Sequence, residues 1–277
     1  KHHGRMNDSI PLPIALYGKA RKNSSGLDLG NLAMAEFLRS RLAAFEGSQW
    51  SSEPMLAAPA KESSWREVAE PAHINKAVGK ARGSSKEDLN AAITAAAKAF
   101  PRWAATSVSE RARILRDAAD RIEAHGPEFI ALLSREAGKT IADGIAEVRE
   151  AADFCRYYAN VAETLMSAPE TLAGPTGESN QLGYFPRGVF GCISPWNFPL
   201  AIFAGQVVAA LSTGNCVLAK PAEPTTLVAA CAVALLHEAG IPKDVLQLVP
   251  GSGRIIGNGM VEDERVAGIV FTGSMET

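Results

Sequence analysis

Between residues 188 and 271, four short apolar runs alternate with stretches of helical periodicity. The runs are 188–193 (GVFGCI), 215–219 (NCVLA), 245–249 (VLQLV) and 266–271 (VAGIVF). Continuous apolar runs of this length read as strands buried on both faces. Residues 201–211 and 225–239 carry helical patterns, the second stopped by Gly240, and 255–260 belongs to a further helix. Strands separated by such helices are the signature of an α/β fold with a doubly wound parallel sheet. Ligands bind such sheets beyond the carboxyl ends of the strands. Here those ends run into SPWN, KPAE, PGSG and FTGS, so the four segments are expected on one rim.

The preceding residues read as helices. Leu89, Ile93, Ala96, Ala97 and Phe100 recur at three- and four-residue steps, with Pro101 as the expected stop. Ser109 and Glu110 open the next helix, whose apolar face is Ile114, Leu115, Ala118 and Ile122, ending at Gly126 and Pro127. A third spans 128–137 up to Gly138, and a fourth runs from Ile141 to about Met166. Residues 167–186 have the turn content of a hairpin. Residues 1–65 differ, with a basic cluster at 19–22, a helical run at 29–45 and a Ser/Ala/Pro-rich stretch at 47–64. This is linker-like material, so a boundary is expected near residue 65, with 66–277 as one α/β unit. No internal repeat is present.

A hydrophobic content of 47% can fill a sizeable core, and a net charge of −2 without a basic run argues against nucleic acid as a partner. The longest apolar stretch, near 201–211, is too short to span a bilayer and is broken by Gly205 and Gln206. Lys1 does not open a secretory signal, and Cys155, Cys192, Cys216 and Cys231 sit at irregular spacing inside apolar patterns. That usage predicts reduced thiols in a cytoplasmic protein. No metal site is expected, because His2 and His3 have no partner at ligand spacing. A first residue other than Met and an end at Thr277, just after a strand, read as part of a longer polypeptide.

Four ordered segments carry a resemblance: Ser194-Pro195-Trp196-Asn197-Phe198-Pro199, Lys220-Pro221-Ala222-Glu223, Pro250-Gly251-Ser252-Gly253 with Gly257, and Phe271-Thr272-Gly273-Ser274. Together they resemble the aldehyde dehydrogenase superfamily from about residue 87 to the end. The resemblance implies an NAD-binding Rossmann-like domain and a cysteine thiolate that attacks an aldehyde to form a thiohemiacetal. It implies that Asn197 donates to the oxygen on which negative charge then builds. Read without it, an Asn between two prolines is also a common turn residue. Ser194, Pro195 and Trp196 are implied on the cofactor side and Phe198 in the substrate pocket, although aromatics here could equally be packing. Lys220 and Glu223 are implied on the adenosine ribose, where a carboxylate disfavours a 2′-phosphate and so favours NAD over NADP. A solvated Lys/Glu pair at a strand end is the plain alternative.

The glycines Gly251, Gly253 and Gly257 are a poor dinucleotide fingerprint by themselves, with three residues between the later two. The family uses this spacing near the adenine, while Phe271, Gly273 and Ser274 are implied at the pyrophosphate, beside the amino end of a following helix. Met275 departs from the family, which often has Thr there. None of the four cysteines has the Gly-rich context of the family's nucleophile. Cys192, within GVFGCI, is expected to be inert. The thiolate and the general base are therefore expected outside this sequence.

Two further segments narrow the resemblance. Asn23-Ser24-Ser25-Gly26-Leu27-Asp28-Leu29, behind Pro11-Leu12-Pro13 and Leu16-Tyr17-Gly18, resembles the connector of bifunctional proline utilization A proteins. Residues 146–158 (AEVREAADFCRYY) fit the same group. The resemblance implies an FAD-dependent proline dehydrogenase module upstream of residues 1–65 and oxidation of glutamate-γ-semialdehyde to glutamate. The implied partners are that small aldehyde, the rest of the same polypeptide and other copies in a homo-oligomer. Another NAD-dependent aldehyde dehydrogenase, or a non-catalytic nucleotide-binding relative, are the alternatives.

Overall fold

The computed structural model describes residues 9–275, with the Ile14 side chain excepted. The pair His2–His3 lies outside these residues. Four parallel strands form the central sheet: β6 (Val189–Ile193), β7 (Cys216–Lys220), β8 (Leu246–Leu248) and β9 (Val266–Phe271), in the order β8-β7-β6-β9. The chain moves outward from β6 to β7 to β8, then returns to place β9 on the other side of β6. That reversal makes the β6/β9 junction the topological switch point, where a crevice opens above a doubly wound sheet.

Helices α6 (Ala201–Ser212) and α7 (Thr226–Glu238) connect the first three strands and pack on one face. Both are apolar nearly all round and are buried accordingly, with Phe203, Leu211, Leu227 and Leu236 at 1% exposure or less. Burying one such side chain contributes about 1.5–3 kcal/mol. Behind them lie α3 (Val108–Ala124), α4 (Gly126–Ala137) and α5 (Ile141–Met166). The opposite face is covered by α2 (Lys86–Ala105) and the short α8 (Asn258–Glu262). Gly138 closes α4 in the left-handed conformation, φ 68°, which a glycine adopts without steric cost.

The helix expected to stop at Pro101 continues to Ala105. Pro101 and Ala97, whose carbonyl loses its amide partner, are both on the exposed side, where water can satisfy that oxygen. Buried Ala99 and Trp103 hold the last turns in place, and Trp103 Nε1 donates to the Leu211 carbonyl at 3.2 Å.

Three strands were not expected. β1 (Trp50–Ser52) pairs parallel with β3 (His73–Ala81), and β2 (Arg66–Glu70) pairs antiparallel with β3. The boundary expected at residue 65 falls inside this sheet. Met55 also bridges to Leu248 on the edge of the central sheet, so residues 50–56 are joined to the main body. Earlier residues dock as well: α1 (Leu32–Ala43) lies on α4 through buried Leu38. Ser24 donates from its amide and hydroxyl to the Asp153 carboxylate at 2.9 and 2.7 Å. The two segments that narrowed the resemblance therefore touch one another. Residues 170–182 form an exposed two-stranded hairpin, β4 (Glu170–Leu172) with β5 (Asn180–Leu182), within the span expected for it.

Candidate active site

Strand register sets the rim. Ile193, the last residue of β6, stands opposite Lys220 at the end of β7 and Phe271 at the end of β9. The Ser194 amide donates to the Lys220 carbonyl at 3.2 Å and the Thr272 amide to the Ile193 carbonyl at 3.0 Å, extending the ladder one step beyond the strands. Above this rim lies a cleft of about 1070 Å³. Ser194, Pro195, Trp196, Asn197 and Phe198 line it from the loop after β6, and Lys220 and Glu223 from the end of β7. Gly253 and Gly257 line it from the turn before α8, and Phe271, Gly273 and Ser274 from the end of β9. Every residue given a cofactor, substrate or oxyanion role from the sequence lines this one cleft, whereas Gly251 of the glycine motif does not. Arg254 and Asn258 also line it and were missed, because neither residue type is distinctive at its position.

Asn197 is exposed in the cleft, and its side-chain amide makes no hydrogen bond to any described residue. A turn-stabilising Asn would bond to its own backbone; this one leaves its amide available. Trp196 and Phe198 flank it at 58% and 39% exposure, which is more than core aromatics retain. The helix after this loop starts at Ala201, and Gln206 within it donates to the Thr272 hydroxyl at 2.9 Å, tying the β6 side of the cleft to the β9 side.

Lys220 is buried, and its ammonium donates to the Pro221 carbonyl at 3.0 Å. Burial holds this ammonium below the usual lysine range, and the carboxylate of Glu223 pulls it back up. Glu223 is exposed, in the short turn Glu223–Thr225, and its main-chain carbonyl accepts from the Arg66 guanidinium. A β-carbon added to Gly253 or Gly257 meets no atom within 4 Å, so both backbones face open space. At Gly273 it would lie 2.6 Å from the Phe271 ring, which covers that glycine. The helix expected after Ser274 lies outside the described residues.

The cysteines are poor nucleophiles where they stand. Cys192 is at 1% exposure within β6, in register with Ala219 and Val270, one step below the rim. Burial pushes its thiol up to about 12, and the same cause takes Cys155, Cys216 and Cys231 up to about 12.

Two buried carboxylates escaped the sequence reading. Glu136 on α4 accepts from the Leu227 and Val228 amides at 2.8 and 2.9 Å, capping α7. Glu147 on α5 accepts from the Leu200 and Ala201 amides at 3.0 and 3.1 Å, capping α6. Neither helix has a side-chain cap of its own. The partners are 91–92 and 53–54 residues apart, so no local motif announces them.

A doubly wound sheet with a cleft at its switch point is the architecture of α/β dinucleotide-binding folds, and the chain belongs to the aldehyde dehydrogenase family, whose model matches residues 58–277. Among individual relatives, it is 45% identical over 273 residues to the bifunctional protein PutA of Klebsiella aerogenes, a match covering 99% of this chain and 20% of that protein. It is 44% identical over 206 residues to 1-pyrroline-5-carboxylate dehydrogenase 2 of Bacillus subtilis, covering 74% of this chain and 40% of the relative. The crystal structure of a Thermus 1-pyrroline-5-carboxylate dehydrogenase with bound NAD superposes with a TM-score of 0.85 at 32% identity, over 92% of this chain and 50% of that one. The chain thus spans about a fifth of the PutA proteins and two-fifths of the single dehydrogenases that it matches. The narrower resemblance to proline utilization A extends over nearly all of it.

Proposed function

We propose that these residues form the NAD-binding and oxyanion-stabilising side of a dehydrogenase that oxidises glutamate-γ-semialdehyde to glutamate. On this reading they belong to a longer bifunctional polypeptide that also carries an FAD-dependent proline dehydrogenase. The observation that carries the reading is the convergence of Asn197, Lys220, Glu223, Gly253, Gly257 and Ser274 on one switch-point cleft. The cleft also fits the cofactor chemically. It offers open backbone at two glycines, a buried ammonium with one protein partner, and a Ser194 hydroxyl buried without a hydrogen-bond partner among the described residues.

NAD held there would supply the acceptor for the hydride that leaves the former aldehyde carbon. Lys220 and Glu223 grip the adenosine ribose, and the Glu223 carboxylate repels a 2′-phosphate, favouring NAD over NADP. The segment Phe271-Thr272-Gly273-Ser274 holds the pyrophosphate. Asn197 donates its side-chain N–H to the carbonyl oxygen of the substrate as a cysteine thiolate adds to the carbon, so the developing charge is stabilised. That thiolate comes from another part of the polypeptide, because the four thiols here are held protonated at neutral pH. Phe198 lines the substrate side. The enzyme works as a homo-oligomer in the cytoplasm.

The test is turnover of the longer polypeptide with NAD, followed as NADH absorbance, across aldehydes of similar length with and without the α-amino acid group. Glutamate-γ-semialdehyde should have the highest kcat/KM. Equal or better turnover of simple aliphatic aldehydes would remove the substrate assignment, and absence of NADH with every aldehyde would remove the activity.

A further inference from the structure

The segment that follows Asn197 is held at two points from a different layer of the fold. After Asn197 come Phe198, Pro199 and Leu200, and then the first turn of α6. At the first, the Lys139 ammonium sits 4.0 Å from the centroid of the Phe198 ring. At the second, Glu147 accepts from the Leu200 and Ala201 amides. The two gripping side chains are themselves an ion pair, Lys139 Nζ to Glu147 Oε1 at 3.1 Å. Glu147 is 1% exposed, and the Lys139 side chain is 15% exposed. Lys139 follows the left-handed Gly138 that ends α4, which turns the chain so that its next side chain reaches the loop.

The energetics favour a single unit. A buried carboxylate is costly unless paired and hydrogen-bonded. Glu147 meets both conditions: one oxygen accepts from two amides at the positive end of a helix, and the other, which accepts no hydrogen bond from a described residue, lies 3.1 Å from the Lys139 ammonium. Lys139 in turn divides its charge between the carboxylate and a ring face. Removing either leaves the other mispaired beside the Asn197 loop.

We propose that Lys139 and Glu147 are positioning residues that hold the Asn197 amide in its donor orientation by clamping Phe198 and the amino end of α6. The inference rests on the oxyanion role proposed for Asn197 and names the device that supports it. Neither residue touches the substrate or the reacting atoms in this scheme.

The test uses the longer dehydrogenase polypeptide with the variants Lys139→Met, Lys139→Arg, Glu147→Gln and Asn197→Ala. Lys139→Met should lower kcat roughly ten- to thirtyfold, the range a desolvated cation–ring contact can supply, with KM for NAD nearly unchanged. Lys139→Arg, which keeps the cation, should restore kcat to within about threefold of the unmodified enzyme. In the Asn197→Ala background the further loss from Lys139→Met should shrink to less than about twofold, because residues acting through one another are not additive. Glu147→Gln leaves no unpaired carboxylate in the interior and carries the same cycle should Lys139→Met fail to fold. A second readout is independent of turnover: hydrogen exchange at the Leu200 and Ala201 amides should accelerate in Glu147→Gln and Lys139→Met while the sheet stays protected. Full additivity of the losses, or unchanged exchange at those two amides, overturns the clamp. An unchanged kcat in Asn197→Ala overturns both the clamp and the oxyanion role beneath it, whereas additivity with a large Asn197 effect removes the clamp alone.

Discussion

At the scale of single residues, Lys220 and Glu223 show how one strand end yields two different environments. Three residues apart, one is buried with its charge on a carbonyl and the other is exposed beside it. A buried ammonium with one neutral partner gains from a second acceptor, and a ribose hydroxyl at the cleft would supply it. Replacing Lys220 by Met keeps the packing stem and removes the donor. KM for NAD should rise by about tenfold or more, the value of a charged hydrogen bond, while kcat at saturating NAD changes little. Replacing Glu223 by Gln removes the repelling carboxylate and should narrow the NAD/NADP preference in kcat/KM by about tenfold or more. Unchanged cofactor preference would make Glu223 a surface residue of the turn. Both positions were legible because a charge directly after a buried strand is conspicuous. Arg254 and Asn258 were not, because nothing in a single sequence separates a cleft-lining polar residue from a solvated one.

At the scale of elements, the central sheet was the legible part and the amino-terminal sheet was not. β6, β7 and β8 are largely buried because both faces are covered, and β9 is wholly apolar though only partly buried, so their runs stand out within a few residues of their true ends. β1, β2 and β3 carry Ser, Glu, Lys and His on exposed positions and form by pairing across distance, which leaves little local pattern. The same holds for the caps of α6 and α7, supplied by carboxylates from other helices. Glu136 makes this testable by pH. Burial raises its carboxyl from 4.5 to about 7, although the Leu227 and Val228 amides pull it down. The folded protein therefore holds a proton there at pH values where the unfolded chain has released it. Stability from this group is fully present below about 4.5 and is lost as pH rises through about 7, by at most about 3 kcal/mol. Urea midpoints between pH 5 and pH 8 should fall along this course, and Glu136→Gln should flatten the dependence. A midpoint that climbs over this range and is unaffected by Glu136→Gln would mean that the carboxyl is ionised throughout.

At the scale of the whole molecule, the described fold leaves one side of its sheet uncovered. Among the described strands β9 pairs only with β6, none of its residues is fully buried, and Phe271 at its end and Val261 on the adjoining α8 are exposed. Such an edge attracts other chains. The 277 residues expressed alone should therefore associate at micromolar concentration, which light scattering would register, and a monodisperse monomer would count against this. They should also produce no NADH with any aldehyde, since each of their thiols is held near 12. Turnover that disappears in Cys192→Ala would show that the nucleophile lies within β6. The proposed chemistry itself converges on the Asn197 amide. In the longer enzyme, Asn197→Ala measured with glutamate-γ-semialdehyde and NAD should lose about a hundred- to thousandfold in kcat, with KM for NAD held within about twofold. A kcat equal to that of the unmodified enzyme would leave Asn197 as a turn residue and the cleft without its oxyanion donor.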